Sequence, residues 1–162
     1  MQKLFVDMSI EINASAPRVW DVLTLRQHTA EWASEFAAGG PQISIESDWG
    51  LGNAVLWRDE RGHVIVEGHV TAVELHGMLR FTVFDVRGER HPASADDGIT
   101  FKLTERDDRT RLWVSQGDFS TIADGEKYRD LSAQIWNRAL ARIKRLAENN
   151  AEAWQLPEDR FG

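Results

Sequence analysis

Apolar and polar positions alternate from the start of the chain. Val6, Met8, Ile10 and Ile12 are separated by Asp7, Ser9 and Glu11, the period of a half-buried strand. Ser15 then offers a helix N-cap with Pro17 in the first turn, where a missing N–H does no harm. Val19, Trp20, Val22 and Leu23 fall on one side of a short helix. A second short helix is predicted from Gln27 to Phe36, carrying Trp32 and broken by Gly39-Gly40-Pro41. Period two returns in Gln42 to Glu46, around Ile43 and Ile45, and in Asn53 to Arg58, which Asp59-Glu60-Arg61-Gly62 turns into the next strand. That strand, His63 to Leu75, carries Val64, Val66, Gly68, Val70 and Ala72 on one face; His63, Glu67, His69 and Thr71 occupy the other, with Ile65 and Val73 as apolar exceptions. After the His76-Gly77 turn, Leu79, Phe81 and Val83 mark the inner side of another strand. Gly88 to Gly98 reads as a polar loop. Ile99 to Thr104 and Leu112 to Phe119 flank a hairpin turn at Asp107-Asp108-Arg109.

From Asp124 the period changes to 3.6. Tyr128, Leu131, Ile135, Trp136, Ala139, Leu140, Ile143 and Leu146 form one apolar stripe, and Asn149-Asn150 is read as its end. Residues 1–150 form one domain, and 151–162 read as a tail. The order is a strand, two short helices, a run of antiparallel strands and one long helix, an α+β layout. A single apolar helix stripe must cover the whole apolar face of the sheet, so the twisted sheet has to curl around it. Where sheet and helix diverge, such a fold leaves room for a ligand.

Composition narrows the function classes. A net charge of −7 argues against a nucleic-acid surface, which needs clustered cations, and against anionic membrane. The absence of cysteine excludes disulfides, thiolate metal sites and cysteine nucleophiles. The opening Met-Gln-Lys-Leu-Phe-Val-Asp-Met is too polar for a signal peptide, which makes the cytoplasm the expected compartment. Seven Trp stand against one Tyr; most of them fill core volume, while the set as a whole suits an aromatic-lined cavity.

Residues suited to catalysis are few. His63 and His69 share a strand face with Glu67 between them, but residues six apart on a strand lie ~20 Å apart. Glu67 and His69 alone make too thin a metal site. No Gly-x-Ser-x-Gly elbow is present, and Gly50-Leu51-Gly52 leads into a strand rather than a helix. Asp96-Asp97 and Asp107-Asp108 are explained by turns. Neither metal nor cofactor is expected. Strand parity turns Gln116 and Asp118 inward with Leu112 and Val114, where each needs a hydrogen-bond partner from a loop or the terminal helix. The functional alternative is that Gln116 orients the polar end of a ligand, with Asp118 at the cavity mouth. Trp57, Val66, Val70, Phe81, Phe101, Val114, Trp136 and Leu140 would then form the apolar wall. Trp57 is undecided by parity, because its strand is apolar on both faces.

Several stretches carry a family resemblance. Val19-Trp20-x-x-Leu23-Thr24 with Trp32 is similar to the N-terminal signature of the START-like (SRPBCC, helix-grip) superfamily. Gly68-His69-Val70-Thr71-Ala72-Val73-Glu74, then Thr110-Arg111-Leu112-Trp113-Val114 with Gly117-Asp118-Phe119, and Trp136-x-x-x-Leu140-x-x-Ile143-Lys144 resemble its branch related to the activator of the heat-shock-protein-90 ATPase. The resemblance covers Val6 to Glu148. Two departures are His76-Gly77, where prolines are usual, and Gln116, where a His is frequent. The resemblance implies a helix-grip fold: a curved antiparallel sheet around a long C-terminal helix, with two short helices after the first strand. It implies non-catalytic binding of a small hydrophobic or aromatic ligand between sheet and helix. The alternatives are a co-chaperone-like protein-interaction module, for which the acidic charge suits a basic partner, and an enzyme of cyclase, aromatase or hydrolase type. The enzyme would have to rely on Gln116, Asp118 and His69. The expected partners are thus a small hydrophobic ligand or a protein, with neither nucleic acid nor membrane, in a monomer or a homodimer paired through an edge strand or the outward Trp113.

Overall fold

The computed structural model describes residues 2–37, 42–85 and 98–161, with side chains over 2–37, 42–84 and 98–149. The Gly39-Gly40-Pro41 break, the Asp96-Asp97 pair and most of the Gly88 to Gly98 loop lie outside the described residues; Gly98 itself opens a strand.

The alternating opening forms β1 (Val6–Ile12). Ser15 caps α1 (Ala16–Thr24), its hydroxyl accepting the Arg18 N–H, with Pro17 in the first turn. The second predicted helix divides into α2 (Arg26–Trp32) and a 3₁₀ turn, Ala33–Ala37. Then come β2 (Ser44–Glu46), β3 (Ala54–Arg58), β4 (Val64–Glu74), β5 (Met78–Thr82), β6 (Phe84–Asp85), β7 (Gly98–Arg106) and β8 (Arg109–Gly117). The expected continuation of the last strand to Phe119 is replaced by a 3₁₀ turn, Phe119–Thr121. The terminal helix is α3 (Gly125–Phe161).

The strands form one antiparallel sheet in the order β1-β8-β7-β5-β4-β3-β2, with β6 paired to β4 off that path. Arg106 pairs with Arg109 across a two-residue turn in which Asp107 and Asp108 have φ of 54° and 63°. Two positive φ values in succession define the turn whose twist matches a hairpin, and aspartate tolerates them better than most residues. β4 changes partner partway. Its C-terminal half pairs with β5 and its N-terminal part with β6. Gly68 stands at the split, where a Cβ would lie 1.8 Å from the Thr82 carbonyl oxygen. Only glycine permits that approach.

The concave face of the sheet closes over α3. Trp136, Ala139, Leu140, Ile143 and Ala147 are buried against Val6, Ile12, Leu112, Val114, Phe101 and neighbouring residues. Each fully buried large side chain contributes roughly 1.5–3 kcal/mol. Polar clamps hold the helix along β1: Lys144 Nζ donates to the Glu11 carbonyl at 2.9 Å, and Glu148 accepts from Lys144 and from the Asn13 N–H. The apolar stripe is shorter than its sequence pattern. Tyr128 and Leu131 are 46% and 44% exposed, because the first turns of α3 run beside the Phe119–Thr121 turn rather than across the sheet. The helix also does not end at Asn149-Asn150; its backbone continues to Phe161. Asparagine costs a helix only a fraction of a kcal/mol, and the Ala-Glu-Ala sequence that follows favours helix. Among the described residues no helix is long and apolar enough to cross a membrane.

Candidate functional site

Alternation along the strands decides what faces α3. Trp57 pairs with Ile45 and Val66, and its side chain is buried. The two-faced β3 therefore turns Trp57 inward and Leu56 outward. Val70, Phe81, Phe101 and Val114 are each at most 1% exposed on the same concave face, Val66 is half-buried beside Trp57, and Leu140 is buried on α3.

At the centre is a run of aromatic rings. Trp136 lies 5.7 Å from Phe101, 6.0 Å from Trp32 and 5.0 Å from Phe36, and Phe36 lies edge-on to Trp57 at 5.6 Å. Phe101 continues to Phe81, and Phe81 to Trp49. These tilted and T-shaped contacts suit the ring quadrupoles. Phe36, from the 3₁₀ turn after α2, is half-buried and bridges the helix and sheet halves of the nest.

The polar atoms of the nest are almost all spoken for. Trp136 Nε1 donates to Gln116 Oε1 at 2.7 Å, wholly buried. Trp32 Nε1 donates to the Val22 carbonyl and Trp49 Nε1 to the Thr24 carbonyl. Trp57 Nε1 is buried and has no hydrogen-bond partner among the described residues. A buried donor left without a partner costs on the order of 1–3 kcal/mol.

Asp118 belongs elsewhere. Its carboxylate accepts the Leu4 N–H at 2.9 Å and the Ser120 N–H at 2.8 Å, capping the Phe119–Thr121 turn and tying down the N-terminal segment. Burial pushes its carboxyl up, but hydrogen bonds from Leu4 and Ser120 and the charge of Lys3 outweigh this and hold it below the usual carboxylate range. Gln116 likewise serves a packing partner, the Trp136 indole. The structure thus brings together Trp57, Phe81, Phe101, Gln116 and Trp136, with Val66, Val70, Val114 and Leu140 around them, and sets Asp118 apart. Phe36, Trp32 and Trp49 complete the nest without having been singled out as site residues. They sit on a helix end, a 3₁₀ turn and a loop, where no strand parity exists to orient them. Among the described residues no three His, Asp or Glu side chains converge on one point; His69 is exposed on the convex face, and His63 is exposed in the turn just before β4.

Comparison with known structures supports this architecture. Protein MLL2253 from Mesorhizobium loti superposes with a TM-score of 0.69 at 19% identity, over 90% of this chain and 97% of that one. ChR145 from Cytophaga hutchinsonii gives 0.69 at 21%, over 94% and 99%. The Aha1 dimer from Colwellia psychrerythraea gives 0.62 at 14%, over 87% and 93%. At such identities the likeness is one of fold. No curated protein matches the chain. The family model described as activator of Hsp90 ATPase homolog 1-like protein matches residues 13–148, so the chain belongs to that family and carries its START-like, helix-grip fold.

Proposed function

We propose that the protein binds a small apolar or aromatic molecule carrying a hydrogen-bond acceptor, between the sheet and α3, with Phe36 as the side chain that yields to it. The observation that carries this reading is the buried Trp57 Nε1, without a partner among the described residues, in a nest whose other indoles at Trp32, Trp49 and Trp136 all donate to protein acceptors. A ligand carbonyl meeting that N–H removes a cost the free protein bears, and its rings replace Phe36 against Trp136 and Trp57. Titration of the full chain with aromatic ketones and aldehydes, followed by tryptophan fluorescence and native mass spectrometry, tests the proposal. Saturable quenching is expected, with affinity about fivefold weaker in Trp57→Phe, the worth of one net hydrogen bond of about 1 kcal/mol. A panel that gives no saturable change and no retained mass would sink it.

A second reading has its own observation. Tyr128 and Leu131 are exposed one turn apart at the start of α3, and the family description names an activator of the Hsp90 ATPase. A protein-interaction module would use that helix end. It predicts that the chain alters the ATPase rate of an Hsp90-class chaperone, and that a Tyr128→Ser, Leu131→Ser double variant loses the effect.

A further inference from the structure

The split in β4 leaves a hollow on the convex face of the sheet, on the opposite side from the aromatic nest. Because strand side chains alternate, the neighbours of the inward residues line it: Leu56 beside Trp57, and Glu67 and His69 on either side of Gly68. Phe84 on β6, paired opposite Glu67, forms a second apolar wall. The hollow has a volume of about 300 Å³, at the lower end of small-molecule sites. Its polar base is ordered. Thr82 Oγ1 accepts the backbone N–H of His69 at 3.0 Å and lies 3.3 Å from His69 Nδ1, so a side chain replaces the missing ladder partner and fixes the imidazole at the rim.

The charge that lines the hollow and its neighbour is one-sided among the described residues. Glu67 makes no ion pair or hydrogen bond among the described residues, and a second hollow of about 330 Å³ shares Leu56 and Ala54 with the first and adds Asp48 and Glu46. Glu46 is held by Arg58 and Arg26, but no Lys or Arg lines either hollow among the described residues. An unpaired carboxylate beside an aromatic ring and an aliphatic wall is complementary to an ammonium group on an apolar body. The carboxylate meets the charge, and the Phe84 ring in the same lining can attract the cation as well.

We propose that this convex cleft is a binding site for small organic amines of about one aromatic ring, with Glu67 as the charge partner and Leu56 and Phe84 as the walls. The site is independent of the aromatic nest on the concave face. The test is a titration of the ¹⁵N-labelled full chain with 2-phenylethylamine, and with 3-phenylpropionate and 2-phenylethanol as the anionic and neutral counterparts. The amine should shift the amide signals of Leu56, Glu67, His69 and Phe84 saturably, and the carboxylate and the alcohol should shift them at least fivefold more weakly. Glu67→Gln, an exposed change that leaves the core intact, should weaken amine binding at least fivefold. Ala54→Leu, which fills the shared floor, should abolish it. The proposal is overturned if the three compounds act alike, if Glu67→Gln binds as the parent does, if no signals move, or if the shifts fall on Phe101 and Trp136 instead.

Discussion

Gln116 shows what a single residue decides in this fold. Its amide oxygen accepts the Trp136 indole N–H at 2.7 Å, and the bond is buried. Gln116→Leu leaves the indole N–H without a partner and should cost about 1–3 kcal/mol; Trp136→Phe leaves the amide oxygen bare and should cost at least as much. In the double variant both orphans vanish, so its loss should fall short of the sum by about 1 kcal/mol in urea unfolding. Additivity within about 0.5 kcal/mol would mean that the bond contributes nothing net. The inward parity of Gln116 was legible from its spacing to Val114. Its partner was not, because two periodicities, one of the strand and one of the helix, have to be superposed in space before Trp136 is seen to face it. Trp57 was less legible still. Every residue of its strand but the last is apolar, and only pairing with Ile45 and Val66 decides its side.

At the scale of elements, the strands with clean alternation were readable nearly to their ends, β1 and β7 especially, and the Asp107-Asp108 turn declared itself through residues that tolerate positive φ. What period could not give was where elements stop. The Asn149-Asn150 pair resembles a terminus yet lies inside α3, and β4 changes partner at a glycine whose role depends on the approach of Thr82. The join between β8 and the next turn is a polar matter, settled by Asp118. Because its carboxyl is held below the usual carboxylate range, the folded state binds its proton more weakly than the unfolded chain does. Its contribution is therefore present above the unfolded value of about 3.9 and is lost as pH falls through the lower folded value. Asp118→Ala should destabilise the neutral protein by about 0.5–2 kcal/mol, the usual worth of such a cap. The gap between variant and parent should narrow below pH 4 as the parent's carboxyl protonates. Urea midpoints from pH 7 to pH 2.5 check this, and a gap that stays constant across the range would show that the charge is irrelevant.

The molecule as a whole is one sheet with two different faces. The concave face is aromatic and packed, with the Trp57 indole N–H lacking a partner among the described residues; the convex hollow beside β4 is open and carries Glu67. On the concave side Phe36 occupies the position that the proposed ligand would take, in contact with both Trp57 and Trp136. Stability and affinity should therefore oppose each other at this residue. Phe36→Ala removes a half-buried ring and should lower the unfolding free energy of the free protein by about 1–3 kcal/mol, less than a fully buried Phe→Ala. The same change relieves the ligand of displacing that ring, so binding should become tighter. A ligand that binds only the folded state adds about 2.7 kcal/mol at one hundred times its Kd, so in saturating ligand the variant should recover most of what it lost. Thermal unfolding of parent and variant, each with and without ligand, separates the two roles. If Phe36 serves packing alone, the variant loses stability in both conditions and its affinity does not rise, because nothing then stood in the way of the ligand.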